Sequence, residues 1–310
     1  MKVYFAPLEG ITGHLFRQAY ERNIGGIDCY YTPFVTLRDG GIMKHREMQD
    51  ILPENNPGIH LVPQIMTNSA KDFCQAAELM GELRYQEVNL NLGCPSGTVV
   101  PKGKGAGQLK DTEKLDRFLE EIFEKCPLAI SIKSRIGFYE PEEFPELLEI
   151  YNKYPVKELI LHLRTREEFY AGQVHEDVFR YAIKHSKNPL CYNGDIRTAE
   201  DVERLSAEYP ALSSVMIGRG FLMDPGFYHS DPGDAYQNSR VYCFLTELEQ
   251  AYEEEMSGDQ PVLFKMKEIW TYLKTSVPAG EKWFKKIKKA RYLAEYKDIV
   301  REIFCGTQRN

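Results

Sequence analysis

Along the first 220 residues, eight short apolar runs recur, at 3–6, 29–32, 60–66, 87–92, 129–133, 158–162, 190–193 and 214–217. The stretches between them, such as 69–84, 112–125, 141–153 and 198–209, carry apolar residues at the three-and-four spacing of a helix. Ser69, Thr112 and Thr198 stand at the head of three such stretches and are predicted as N-caps. Regular alternation of strand and helix calls for a parallel sheet. Parallel neighbours need a crossover, and the crossover helices cover the sheet. Eight strands in roughly 220 residues suit a closed (β/α)8 TIM barrel better than an open sheet. Beyond residue 220 the alternation stops. Helices are predicted over 241–255, 262–275 and 281–303, with breaks at 257–261 and 276–280. The expected organisation is an α/β barrel domain over 1–235 followed by a small helical domain over 240–310.

Hydrophobic residues make up 43% and charged residues 27% of the 310, enough to bury a core and remain soluble. No apolar run approaches the ~18–20 residues of a membrane helix, and the N-terminus lacks signal-peptide organisation. A cytoplasmic location without membrane contact is expected. The seven cysteines include no C-x-x-C pair, so neither a disulfide framework nor a metal site is expected. The net charge of −7 hides an asymmetry: from residue 261 onward, 12 basic side chains face 5 acidic ones, a net of +7 that leaves −14 for the rest. A polyanion would be drawn to the tail.

Three runs end in polar pairs. Side chains two apart along a strand share a face, which pairs Asn89 with Asn91, Lys133 with Arg135 and His162 with Arg164. In a barrel the C-terminal strand ends form the active-site mouth. Amides and cations suit an electron-rich ligand bearing carbonyls. Asn193-Gly194-Asp195 and Gly218-Arg219-Gly220 follow the seventh and eighth runs, where barrels commonly bind phosphate through glycine backbone and an arginine. Cys94 lies in a Gly/Pro loop just past the fourth run. An unperturbed thiol is mostly protonated at neutral pH, which makes it a candidate general acid. The glycine- and lysine-rich stretch 102–107 reads as a mobile lid or as a loop meeting phosphate.

Taken in order, Ala6-Pro7-Leu8-Glu9-Gly10, Pro63-Gln64-Ile65, Asn89-Leu90-Asn91-Leu92-Gly93-Cys94-Pro95-Ser96, Gly105-Ala106-Gly107, Lys133-Ser134-Arg135, His162-Leu163-Arg164-Thr165-Arg166, Asn193-Gly194-Asp195-Ile196 and Gly218-Arg219-Gly220 resemble the tRNA dihydrouridine synthases. The resemblance spans about residues 1–225. It implies FMN as cofactor, NADPH as reductant and tRNA as substrate, with hydride passing to C6 of uracil and a proton to C5. It also implies roles. Pro7, Leu8 and Glu9 line the flavin. Gln64 and Lys133 hydrogen-bond its ring, and His162 lies near it. Asn193, Gly194, Asp195, Gly218 and Arg219 hold its phosphate end. Cys94 matches the proton donor, and Asn91 and Arg135 match positions that contact the uridine. Leu8 stands where methionine is usual, Gly13 where aspartate is common, and Gly107-Gln108 replaces a small-residue pairing. The alternative is a small-molecule flavin ene-reductase or dihydroorotate-type dehydrogenase on the same barrel. A third reading is an RNA-binding protein without catalysis.

The tail carries Lys282-Trp283-Phe284-Lys285-Lys286-Ile287-Lys288-Lys289-Ala290-Arg291. On one helix Phe284, Ile287 and Arg291 would share a face. Lys285, Lys286, Lys288 and Lys289 are then expected to contact RNA phosphates. The protein is expected to act as a monomer.

Overall fold

The computed structural model describes residues 1–38, 41–227 and 235–306. Nine strand segments form one parallel sheet that curls into the expected barrel. The strands are β1 (Lys2–Phe5), β2 (Cys29–Tyr31), β3 in two pieces (Leu61–Val62 and Gln64–Ile65), β4 (Glu87–Leu92), β5 (Ala129–Arg135), β6 (Leu159–His162), β7 (Leu190–Asn193) and β8 (Ser214–Ile217). β1 pairs with both β2 and β8. The first piece of β3 pairs with β2 and the second with β4, so the ring closes through β3. The run 60–66 is therefore not one continuous strand. Pro63 has no N–H to donate, and its carbonyl accepts from Asn89 N at 2.8 Å.

The two-residue period of each strand sorts its side chains. Tyr4, Ala6, Cys29, Tyr31, Val62, Ile160, Cys191 and Met216 fill the barrel interior as one cluster. Their neighbours Val3, Phe5, Tyr30, Leu161, Tyr192 and Val215 face outward into a larger core beneath the helices. That shell is α1 (His14–Asn23), α2 (His45–Ile51), α3 (Ala70–Glu82), α4 (Thr112–Lys125), α5 (Phe144–Tyr151), α6 (Glu176–His185), α7 (Ala199–Glu208) and the short α8 (Arg219–Met223). Ser69 caps α3 by accepting from Asp72 N at 3.2 Å. Thr198 caps α7 in a reciprocal box with Asp201. Thr112 is not a cap. Asp111 holds that place, its carboxylate accepting from Lys114 N at 3.0 Å, and Thr112 becomes the first helical residue.

Among the described residues the tail forms four helices, α9 (Ala235–Glu255), α10 (Asp259–Leu273), α11 (Gly280–Lys289) and α12 (Leu293–Cys305). Pro261 lies inside the first turn of α10, where a missing N–H costs nothing. The single helix expected over 281–303 is broken at Ala290. Lys267 Nζ donates to the carbonyls of Ala290 (2.6 Å) and Lys288 (3.2 Å), satisfying the end of α11. Arg291 consequently leaves the face of Phe284 and Ile287. The expected domain boundary adjoins residues 228–234, which lie outside the described residues.

The tail packs onto the barrel. Phe244 of α9 meets Phe16 of α1 edge-on at 5.3 Å, and Lys265 of α10 donates to the Gly10 carbonyl at 2.5 Å. Among the described residues no helix is long and apolar enough to cross a membrane.

Candidate active site

Two adjoining cavities, of about 360 and 290 Å³, open at the C-terminal ends of the strands. They share walls made by Pro7, Leu8, Gly93, Lys133, Tyr170 and Tyr272. The larger one also takes in Arg135, His162, Asn193, Gly194, Asp195, Gly218 and Arg219. The smaller adds Glu9, Gln64, Asn91 and Cys94. Of the barrel residues singled out from the sequence, all but two line this one mouth. Asn89 lies deeper along its strand and is fully buried. Arg164 also stays out of the mouth. It is 1% exposed, and it donates to the carbonyls of Ala171 (2.9 Å) and Gly172 (2.6 Å) and pairs with Asp195.

The larger cavity is cationic. Burial first, then the charges of Arg135, Lys133, Arg164 and Arg219, hold the His162 imidazole well below its ordinary pKa, so the ring is neutral. Its Nδ1 is buried without a hydrogen-bond partner. Burial and the nearby Arg135 lower the Lys133 ammonium to about 8. At the far end Asp195 accepts from Arg219 at 3.0 Å and pairs with Arg164. Burial alone would raise its carboxyl, but these guanidiniums outweigh it and keep the group below the usual range. Gly194 has φ +142, and a Cβ there would meet Val174 Cγ1 at 2.9 Å, so the turn needs glycine. Asn193 ties β7 to β8 by donating to the Met216 carbonyl at 2.7 Å.

The smaller cavity is organised by a chain of amides. Asn89 donates to Ser131 Oγ (2.9 Å), Gln64 to Asn89 (2.8 Å) and Asn91 to Gln64 (2.7 Å). The Asn91 oxygen then accepts from both Gly93 N (3.0 Å) and Cys94 N (2.9 Å). Inward-facing strand residues therefore fix the Cys94 loop directly. Arg135 holds it from the other side, donating from Nε to the Gly93 carbonyl at 2.9 Å and from Nη1 to Thr165 and Phe169 carbonyls at 2.7 Å each. Burial pushes the Cys94 thiol up, with hydrogen bonding and the Arg135 charge opposing, so it is protonated at neutral pH.

The second half of the stretch 102–107 is packed into the protein rather than open. Residues 105–109 are buried, and Ala106 N donates to the Cys94 carbonyl at 3.0 Å. A Cβ on Gly105 would sit 2.9 Å from that same carbonyl oxygen. The glycines let this segment pack under the Cys94 loop as a buttress. Among the mouth residues that the sequence did not single out are Tyr170, Tyr272 and Glu268. Tyr170 follows β6 in a loop on the mouth side, which was a usable signal. Its ring lies 5.2 Å from the Arg135 and 4.7 Å from the Arg219 guanidinium. Tyr272 and Glu268 come from α10, and no local pattern places a tail helix over a barrel.

The family model described as dihydrouridine synthase (Dus) matches residues 4–305. The chain belongs to the dihydrouridine synthase family. A tRNA-dihydrouridine(16) synthase of Vibrio parahaemolyticus is 25% identical over 302 residues, 93% of this chain and 92% of that protein. A protein of the same name from Pseudomonas putida is 28% identical over 233 residues, 73% of this chain and 71% of its own length. A probable tRNA-dihydrouridine synthase of Staphylococcus aureus is 26% identical over 237 residues, 73% of this chain and 70% of that one. Among solved structures, a morphinone reductase mutant in complex with tetrahydroNAD has a TM-score of 0.52 at 13% identity, covering 73% of this chain and 85% of that one. That likeness is one of fold. This dihydrouridine synthase is thus an enzyme of tRNA modification, built on a barrel also used by other reductases. Of its tail lysines, Lys288 lines a groove beside the mouth. Lys285, Lys286 and Lys289 are exposed on α11 outside both mouth cavities.

Proposed function

We propose that this dihydrouridine synthase uses FMN and NADPH to reduce a uridine of tRNA, with Cys94 protonating C5 of the uracil. One observation carries the reading. A neutral imidazole with an unpartnered buried nitrogen and a buried amine share one continuous mouth with a protonated thiol. Such a mouth fits a flat heteroaromatic ring bearing carbonyls and a phosphate tail.

Pro7, Leu8 and Glu9 would flank the FMN ring. Lys133 and the second N–H of Gln64 would donate to its polar edge, and His162 Nδ1 would gain the partner it lacks. Arg219, with Gly194 and Gly218 allowing close approach, would face the phosphate alongside Asn193 and Asp195. FMN, when bound, supplies the hydride that C6 of uracil accepts; C6 is electrophilic because C5=C6 is conjugated to the C4 carbonyl. Negative charge then develops toward the uracil oxygens, where the remaining N–H groups of Asn91 and Arg135 stabilise it. The S–H bond of Cys94 breaks as the C5–H bond forms, and the thiolate regains its proton from solvent. A uracil stacked in RNA cannot reach this depth, so the base enters extruded.

Purified enzyme is expected to carry FMN and, given NADPH, to form dihydrouridine in tRNA from a strain lacking the gene. A colourless protein that refuses FMN overturns the reading. Equal turnover of free uracil or small enones, indifferent to tRNA, would favour a small-molecule reductase.

A further inference from the structure

A groove beside the mouth is lined by Met256, Pro261, Phe264 and Phe284, with Lys265, Lys267, Lys288 and Glu268 among them. Phe264 is 64% exposed, which makes it one of the two most exposed large apolar side chains among the described residues. Phe284 forms part of the groove, with the Lys274 and Lys288 ammonium groups 4.9 and 5.6 Å from its ring centre. Three ammonium groups and one carboxylate leave the groove cationic. A groove of that sign with a bare aromatic face matches sites that hold unpaired nucleotides.

The groove is continuous with the catalytic mouth. Glu268 belongs to both the groove and the Cys94 cavity, and Tyr272, one turn further along α10, lines the mouth itself. Phe264 precedes Tyr272 by about two helical turns, a rise of ~12 Å. A strand whose uridine is held at Cys94 would pass this ring within a few nucleotides. We propose that Phe264 is a stacking platform for an unpaired base flanking the extruded uridine. The inference rests on the RNA-reducing function above and adds the residue that grips the neighbouring strand. Because every base has a π-face, this contact adds affinity without reading sequence.

The test measures Kd for substrate tRNA across a salt series, together with FMN content and thermal stability. It uses the full-length enzyme and its Phe264→Ala, Phe264→Leu and Phe264→Trp variants. The side chain is exposed, so folding and FMN content are expected to match wild type. Alanine and leucine are expected to raise Kd about tenfold with the salt slope unchanged, since no phosphate contact is lost. Tryptophan is expected to restore wild-type affinity. Unchanged affinity of Phe264→Ala, while wild type binds tightly, overturns the proposal and leaves the groove to a protein partner. Leucine performing as well as tryptophan also overturns it, because an apolar contact would then suffice. If wild type itself neither binds nor reduces tRNA, the function proposed above fails, and this inference fails with it.

Discussion

The two ends of this barrel both hold a cavity, a cysteine and buried ionisable groups, yet only one is equipped for chemistry. The N-terminal end has a cavity of about 410 Å³, larger than either mouth cavity, lined by Tyr4, Asp28, Cys29, Glu87 and Glu158 among others. Its polar groups have partners. Ser214 donates to Glu158 and Lys157 pairs with Glu87, each at 2.5 Å, and Asp28 accepts from Val3 N at 2.7 Å. At the C-terminal end His162 Nδ1 has none, and Lys133 sits among other cations. Unmet hydrogen-bonding capacity separates the two cavities, because burying such a group costs free energy that a bound partner returns.

The largest effect expected from this contrast comes from cysteine. Cys94→Ala should cut reduction of tRNA by about 100- to 10,000-fold while FMN content is kept. Cys29→Ala, in the wall of the N-terminal cavity, should keep activity and lose on the order of 1 kcal/mol of stability. Equal losses of activity would break the comparison. Next, reversing the charges of Lys285, Lys286, Lys288 and Lys289 should weaken tRNA binding and flatten the dependence of log Kd on log salt by about 0.9 for each lost phosphate contact. Lys2→Glu, at the opposite rim, should leave that slope alone, and a slope unchanged in both would remove the tail from the RNA interface.

A smaller effect follows from Lys133. Its amine, lowered to about 8, carries charge below that pH and loses it above. kcat/KM should therefore fall on the basic side with an apparent pKa near 8, and Lys133→Arg should move that limb upward. The Cys94 thiol, raised by burial, stays protonated across that window. A limb unmoved by the substitution would assign it to another group. Smallest of all is Glu158, whose carboxyl burial raises above 4.5. A raised acid destabilises the fold while ionised. The penalty is full above the folded pKa and vanishes as pH falls toward the unfolded value. Glu158→Gln should flatten that gain, read as Tm between pH 7 and 5, and leave turnover intact.

The strands were legible from residue 3 to residue 217 because burial on both faces writes short apolar runs into the chain. The mouth residues were legible for the same local reason: alternation put Asn89 with Asn91 and Lys133 with Arg135 before any packing was known. Ser69 and Thr198 announced their caps, whereas Asp111 and Thr112 both suited the role and only the backbone geometry chose between them. The glycine stretch 102–107 permits a lid, a phosphate loop or a buttress. Contact with the Cys94 carbonyl selected the last for residues 105 and 106.

Sequence alone determined most of the strand side chains that the barrel presents at its mouth, since period-two alternation and turn chemistry act over a few residues, although Arg164 turned to Asp195 instead. Tertiary structure decided what stands over that mouth and how its cysteine is held. Tyr272 arrives from more than 170 residues beyond Cys94, and the break at Ala290 depends on Lys267 reaching it from another helix. Contacts of that kind are set by how helices pack across the whole chain, and no local pattern encodes them.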